Sequence, residues 1–428
     1  MDRDSLVYRT YCQILKRELI SAMGCTEPIA LAYCAATARS VLGKLPERII
    51  VEASGNIIKN VKSVVVPNTG GRRGIAAAAC AGVLYGDEKA ELEVISKADP
   101  QRKEKLGEYM ENTPVEVRPL VSDYILDMCV TVFAGEESAK VRIANEHTNI
   151  ILIEHNGETI MHKDPQTEEN TEAEDLPDYN LLTVRDIYDF ALTCDLDDVR
   201  EVLKNQIEKN TAIADEGLRH EYGANIGKVL LKTDSSVRTR ARAYAAAGSD
   251  ARMNGCELPV VINSGSGNQG LTASLPVIVY ARELGVSEEK LYRALLISNL
   301  ITLHLKTGIG RLSAYCGAVS AGAGAGSAIA WLHGGDEKDI SHTIVNALAV
   351  TSGIVCDGAK SSCAAKISAA VDTGIFGYEM YRNGQQFYGG DGLVVKGVEK
   401  SIDRFARLAR VGMKETDREI ILMMTEEE

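Results

Sequence analysis

The amino-acid sequence predicts an α+β protein, with N-terminal helices and a small mixed α+β domain followed by a large all-α domain. Three observations carry that prediction. Residues 1–43 and about 183–412 space their apolar side chains at helical intervals, whereas residues 47–162 carry short β-rich runs bounded by turn residues. At 428 residues, the chain is longer than one core of about 250–300 residues usually serves. The expected boundaries are N-terminal helices at 1–45, an α+β domain at 46–162, an acidic linker at 163–180, an all-α domain at 181–415 and a tail at 416–428.

In the first segment Leu6, Tyr8, Leu15, Leu19 and Ile20 lean to one helix face, and the pattern stops at Gly24–Pro28. Pro28 suits the first turn of a second helix, IALAYCAATARSVLG. RIIVEAS, then Gly55–Asn56, then IIKNVKSVVVP reads as a β-hairpin. ELEVISKA, VEVRPLV, CVTVFAG, AKVRIANEHTNIILIEH and ETIMH continue the β-rich pattern, with helices at GIAAAACAGVLYG and near 99–112 between them. KDPQTEENTEAEDLPD, 163–178, has too few apolar residues to offset the entropy of ordering and reads as a linker or loop. Beyond it, DLDDVREVLKNQIEK, SVRTRARAYAAAGS, EEKLYRALLISNLITLHLK and SIDRFARLARVGM are helical. The run SAYCGAVSAGAGAGSAIAW, 313–331, is apolar through Ala and Gly rather than Leu and Ile. It is expected to be a buried, closely packed helix and not a membrane span.

Composition narrows the classes of function. A net charge of −13 argues against nucleic acid, which needs clustered Lys and Arg, but leaves small anions open. The start MDRDSLVYRTY lacks the apolar run of a signal peptide, so a cytoplasmic location and reduced thiols are expected. Of ten cysteines, Cys12, Cys34, Cys80 and Cys194 sit in apolar, helix-like settings and read as packing.

Five segments carry chemistry. Two are glycine-rich turns before helical runs, PNTGGRRG at 67–74 and SGSGNQG at 264–270. Exposed N–H groups at a helix start attract an anion. Neither turn has a nucleotide-binding fingerprint. A small carboxylate is the expected ligand, held by Asn68, Thr69, Gly70, Ser266, Asn268 and Gln269; two purely structural turns remain the alternative. In HLKTGIGRLSAYCG, 304–317, His304 and Lys306 cannot face the same way on a continuous helix. Gly308 and Gly310 are expected to break it and let them converge. In GIVCDGAKSSCAAKIS, 353–368, Cys356 in a loop and Cys363 near a helix start could reach a common metal. With Cys316 they make three thiolates, which leave one iron of a cubane open; spacing alone leaves three packed thiols as the alternative. Finally, GCTEP at 24–28 puts Cys25 and Glu27 in a tight turn before a helix. A thiol there is expected to have a depressed pKa and to serve as base, nucleophile or ligand, unless its role is structural.

Together GCTEP, PNTGG, SGSGNQG, the H-x-K-x3-G-x-L-S-A-x-C-G stretch and CDGAKSSC resemble, in order and surroundings, the L-cysteine desulfidases, relatives of the catalytic chain of iron–sulfur L-serine dehydratases. The resemblance runs from about residue 10 to 412. It implies an oxygen-sensitive 4Fe–4S cluster on Cys316, Cys356 and Cys363, and Cys25 as proton acceptor. The implied reaction converts L-cysteine and water to pyruvate, ammonia and hydrogen sulfide without pyridoxal phosphate. Serine dehydratases of this kind often end in a cysteine that plugs the open iron and carry a Ser-Ser-His-Thr motif in their N-terminal half. This chain ends MMTEEE and has only Ser341–His342–Thr343 far downstream, which favours a thiol substrate. An L-serine dehydratase and a non-catalytic amino-acid-binding relative are the alternatives, and a homodimer is left open.

Overall fold

The computed structural model describes residues 1–164 and 177–425; most of the acidic segment expected as a linker lies outside the described residues. Helix α1 (Leu6–Glu18) starts at Ser5, whose hydroxyl accepts the Tyr8 N–H and so satisfies a free helix-end donor. After β1 (Ser21–Met23) the chain turns at Gly24, with φ +60°, into α2 (Thr26–Leu42), which is buried along most of its length.

Strand β2 (Arg48–Ala53) follows as expected, but the predicted hairpin does not form. The chain enters α3 (Gly55–Val61) at Ser54 instead, and Ile57 and Val61, four apart, bury one helical face. Gly55–Asn56 mark a turn in either reading. The neighbours of β2 come from further along, β3 (Val115–Pro119) in parallel and β4 (Asp127–Ala134) antiparallel. ELEVISKA is likewise not a strand. Its first part is a 3₁₀ turn closed by Asp87, whose carboxylate accepts the Lys89 N–H, with Leu92, Val94 and Ile95 buried.

Helices α4 (Gly74–Tyr85), α5 (Pro100–Glu104) and α6 (Leu106–Asn112) precede β3. The sheet is completed by β5 (Glu137–Ala144), β6 (Ile150–His155) and β7 (Glu158–His162), in the order β3-β2-β4-β5-β6-β7. Helix α2 packs on β4 and β5, where Cys34 Sγ donates to Val141 O at 3.2 Å; this thiol is core packing, as its setting predicts.

The C-terminal part contains α7 (Val184–Thr193), α8 (Arg200–Arg219), α9 (Ile226–Leu231) and α10 (Val237–Met253). It continues with α11 (Gly267–Glu283), α12 (Glu288–Thr307), α13 (Gly317–Leu332) and α14 (Glu337–Thr351). Helices α15 (Cys363–Arg382), α16 (Val398–Arg407) and α17 (Lys414–Thr425) complete it. This part is not wholly α: β8 (Pro259–Val261) pairs antiparallel with β1, Ser21 opposite Val261. That short ladder joins the N-terminal segment to the helical part and sets GCTEP beside SGSGNQG, where Thr26 Oγ1 donates to Gly265 O at 2.9 Å.

The small-residue helix is α13, buried among α11, α12, α14 and α15. A Cβ on Gly374 of α15 would sit 2.0 Å from Gly322 O, so only glycine lets these two backbones approach so closely. Among the described residues no helix is long and apolar enough to cross a membrane.

Candidate functional site

Helices α2, α11, α13 and α15 aim their N-termini at one cavity, with Cys25, Ser266 and Cys316 at N-caps and Cys363 as first residue of α15. Counting its open mouth, the cavity encloses about 810 Å³. Cys316, Cys356 and Cys363 all line it as free thiols. Two backbone bonds hold the loops before α13 and α15 together: Cys316 N–H to Ile354 O at 3.1 Å, and Cys356 N–H to Ala314 O at 2.6 Å. Cys363 follows one turn later, its Sγ 3.6 Å from Gly358 O. Among the described residues no three His, Cys, Asp or Glu side chains are grouped to hold a metal ion.

Their places at helix starts do not lower the pKa of Cys316 or Cys363. Burial pushes Cys316 up to about 12, with the charges of Cys356 and Cys363 adding to the effect, and burial raises Cys363 as well. A thiolate removed from water loses more hydration than a helix end returns.

The same correction applies to Cys25. It is buried, and its Sγ donates to Glu27 Oε2 at 2.9 Å. Burial, and then the charge of Glu27, raises the thiol well above its ordinary value. Burial also opposes the charge on Glu27, but the electrostatic pull of His147 and the Cys25 thiol hold its carboxyl well below the usual range. Glu27 accepts from Thr26 Oγ1 at 3.2 Å and, at its other oxygen, from Asn60 Nδ2 at 3.0 Å. His147 Nε2 is 4.0 Å from Oε1, an ion-pair distance too long for a hydrogen bond. The resting pair is therefore a thiol facing a carboxylate.

Of the two glycine turns, only the second meets the cavity. Ser264 and Gly265, both at positive φ, turn the chain so that Asn263 and Ser266 exchange backbone bonds, which delivers Ser266, Asn268 and Gln269 to the cavity wall. Asn268 Oδ1 and Gln269 Oε1 are buried acceptors without partners. Asn68, Thr69 and Gly70 are not among the lining residues. Asn68 Nδ2 donates to Ile95 O at 2.8 Å, its Oδ1 accepts from Lys103 Nζ at 2.8 Å, and Thr69 Oγ1 donates to Val66 O at 2.7 Å. That turn packs against GCTEP instead: a Cβ on Gly24 would meet Pro67 Cγ at 2.4 Å.

His304 and Lys306 diverge. Helix α12 runs unbroken to Thr307, with Gly308 only as its cap, so residues two apart face different ways. Lys306 is buried against the cavity, and burial lowers its pKa to about 8 despite the nearby Cys356 and Cys316. His304 Nε2 lies 2.7 Å from Glu399 Oε2, and His304 is not among the lining residues.

Sequence reasoning missed Arg252, Asn60, His147 and Arg311, which also line the cavity. They come from α10, α3, the β5–β6 connection and the loop after α12, so no local spacing marks them. Arg311 donates to Glu18 Oε1 at 3.0 Å and Glu146 Oε1 at 2.9 Å, whereas Arg252 has no carboxylate partner among the described residues.

The family model described as serine dehydratase alpha chain matches residues 89–422. A UPF0597 protein of Desulfitobacterium hafniense is 57% identical over 425 residues, 99% of this chain and 98% of that protein. UPF0597 proteins of Lachnoclostridium phytofermentans (49% identical over 419 residues; 98% of this chain, 100% of the relative) and Treponema denticola (44% identical over 430 residues; 99% of each) are similar as well. On that extent of similarity, the chain belongs to the serine dehydratase alpha chain family.

Proposed function

We propose that the chain is a carbon–sulfur lyase that converts L-cysteine and water to pyruvate, ammonia and hydrogen sulfide, with a 4Fe–4S cluster held by Cys316, Cys356 and Cys363. Membership of the serine dehydratase alpha chain family supports a lyase. One observation carries the finer reading: three free thiols line one cavity with Cys25 and Glu27. The donor set fits a cluster better than a single ion. Ligands on separate corners need not converge on one point, and three thiolates leave a fourth corner without a protein ligand. When bound, the cluster supplies a Lewis-acid position that carries the charge developing on the departing sulfur.

The chain's own residues handle the proton and the orientation. The α-proton of an amino acid is a weak acid, so it needs a base held against it. Cys25 is that base once its own proton has passed to Glu27 across the 2.9 Å Sγ–Oε2 contact. After Cys25 has taken the α-proton, the low carboxyl pKa lets Glu27 give its proton to the departing hydrosulfide or to water, which restores the thiol and the carboxylate. Aminoacrylate then leaves and hydrolyses to pyruvate and ammonia.

The test is an anaerobic assay of the iron-loaded protein, with sulfide and pyruvate measured from L-cysteine and pyruvate from L-serine. Sulfide equal to pyruvate, lost together with bound iron in Cys316→Ala, is the expected result. A protein that takes up iron through these cysteines but turns over only L-serine would redirect the reading to a dehydratase. One that takes up no iron and releases no sulfide would end it.

A further inference from the structure

We propose that Arg252 and the N-terminus of α11 form the subsite that takes the α-carboxylate of the substrate, with the amide oxygens of Asn268 and Gln269 taking its ammonium group. The inference deepens the amino-acid lyase reading and rests on it. Arg252 is 2% exposed and among the largest fully buried side chains. A buried charge is normally paired, because removal from water is costly. Yet Arg252 Nε has no hydrogen-bond partner, and no carboxylate pairs with this guanidinium among the described residues. The other arginine on the cavity wall, Arg311, is already held by Glu18 and Glu146. The missing counter-charge of Arg252 is the ligand's.

The fold builds a place for it. The guanidinium lies against Gly267, the first residue of α11, where a Cβ would come within 2.3 Å of Nε and 2.6 Å of Cζ. Glycine at that position lets the arginine reach the helix end. No side chain caps that end, so its leading N–H groups remain available to an anion beside the guanidinium. One turn of the same helix carries Asn268 Oδ1 and Gln269 Oε1, acceptors buried without partners and suited to an ammonium group. Cation, amide donors and amide acceptors thus lie together, which is the complement of a zwitterionic α-amino acid. An amide or ester of the same amino acid lacks the charge Arg252 requires.

The experiment uses the full-length iron-loaded protein and two probes without a leaving group, L-alanine and L-alaninamide, followed by calorimetry, alongside kcat and KM for L-cysteine and L-cysteinamide. The wild type is expected to bind L-alanine and not L-alaninamide. Arg252→Gln should weaken L-alanine about 30-fold or more, with Arg252→Lys intermediate because a lysine cannot bind bidentately. For L-cysteine the loss should fall mainly on KM, and turnover of L-cysteinamide should barely change. Gly267→Ala, which displaces the guanidinium and leaves its charge in place, should weaken L-alanine too and serves if Arg252→Gln does not fold. Wild-type binding indifferent to the carboxylate, absent altogether, or unchanged in the folded variants would overturn the subsite. An equal loss for acid and amide, as a merely structural arginine would give, overturns it as well. A wild type that binds L-alanine through Arg252 but releases no sulfide would end the carbon–sulfur lyase reading and leave the subsite standing. Sulfide release unaffected by Arg252→Gln would do the reverse.

Discussion

Cys25 Sγ lies 2.9 Å from Glu27 Oε2 at the start of α2, and the thiol is the donor. That contact sets the resting protonation of the cavity, because Glu27 stays ionised while burial keeps the proton on sulfur. Glu27→Gln preserves the shape but removes the anionic acceptor. It should lower kcat for pyruvate formation by about 10²–10⁴-fold, the usual range for losing acid–base assistance, with KM little changed. Anaerobic kinetics at equal iron content check this; a variant with near wild-type kcat refutes the proton route.

Asp250 is a second buried carboxyl, with Oδ2 accepting the Gly227 N–H at 3.0 Å and Oδ1 without a partner. Burial pushes its pKa up to about 6, against the two amides that face it. A carboxyl raised on folding holds its proton more tightly in the native state. Its contribution to stability is full below the unfolded value of 3.8 and is lost as pH rises through about 6. Asp250→Asn should therefore stabilise the protein near neutral pH by about 1–3 kcal/mol and by much less near pH 4, as urea unfolding would show.

Lys59 lies under α17 with its Nζ 2.6 Å from Asp417 Oδ1, and Asn56 Nδ2 donates to the same carboxylate at 2.9 Å. The lysine side chain is 1% exposed, so Asp417→Asn leaves a buried cation with no neutralising charge. A loss of about 2–4 kcal/mol is expected, and Lys59→Met in the same chain should recover part of it. Denaturation of the two single variants and the double variant measures the coupling. Simple additivity would show that the pair contributes nothing.

At the crossing of α13 and α15, Gly374→Ala places a methyl group 2.0 Å from Gly322 O. Overpacking should cost about 1–3 kcal/mol or more, because neither backbone can move without displacing the buried faces of both helices. A thermal midpoint equal to that of the wild type would show that the helices separate easily.

Most helices were legible because their apolar spacing survives any tertiary context, as in α1, α8 and α16. RIIVEAS–Gly55–Asn56–IIKNV was misread because a turn signal followed by apolar residues fits a returning strand and a new helix alike. What separates the two is which partner lies beside β2, and the partners β3 and β4 begin more than sixty residues later. The candidate site was legible through Cys25, SGSGNQG and the three cysteines, since glycine turns and thiols at helix starts are local patterns. Arg252 and His147 were not, because an arginine or a histidine has no local mark that tells a cavity wall from solvent.

By itself, then, the amino-acid sequence determined the α+β class, the Ala- and Gly-rich helix suited to close packing, and the thiols and turns available for chemistry. Only the tertiary structure decided that β1 and β8 bring GCTEP to the second glycine turn, that Lys306 and not His304 lines the cavity, and that Cys25 holds its proton against Glu27. The reason is physical. Periodicity records which side of an element is apolar, whereas protonation and pairing depend on the water that distant elements exclude.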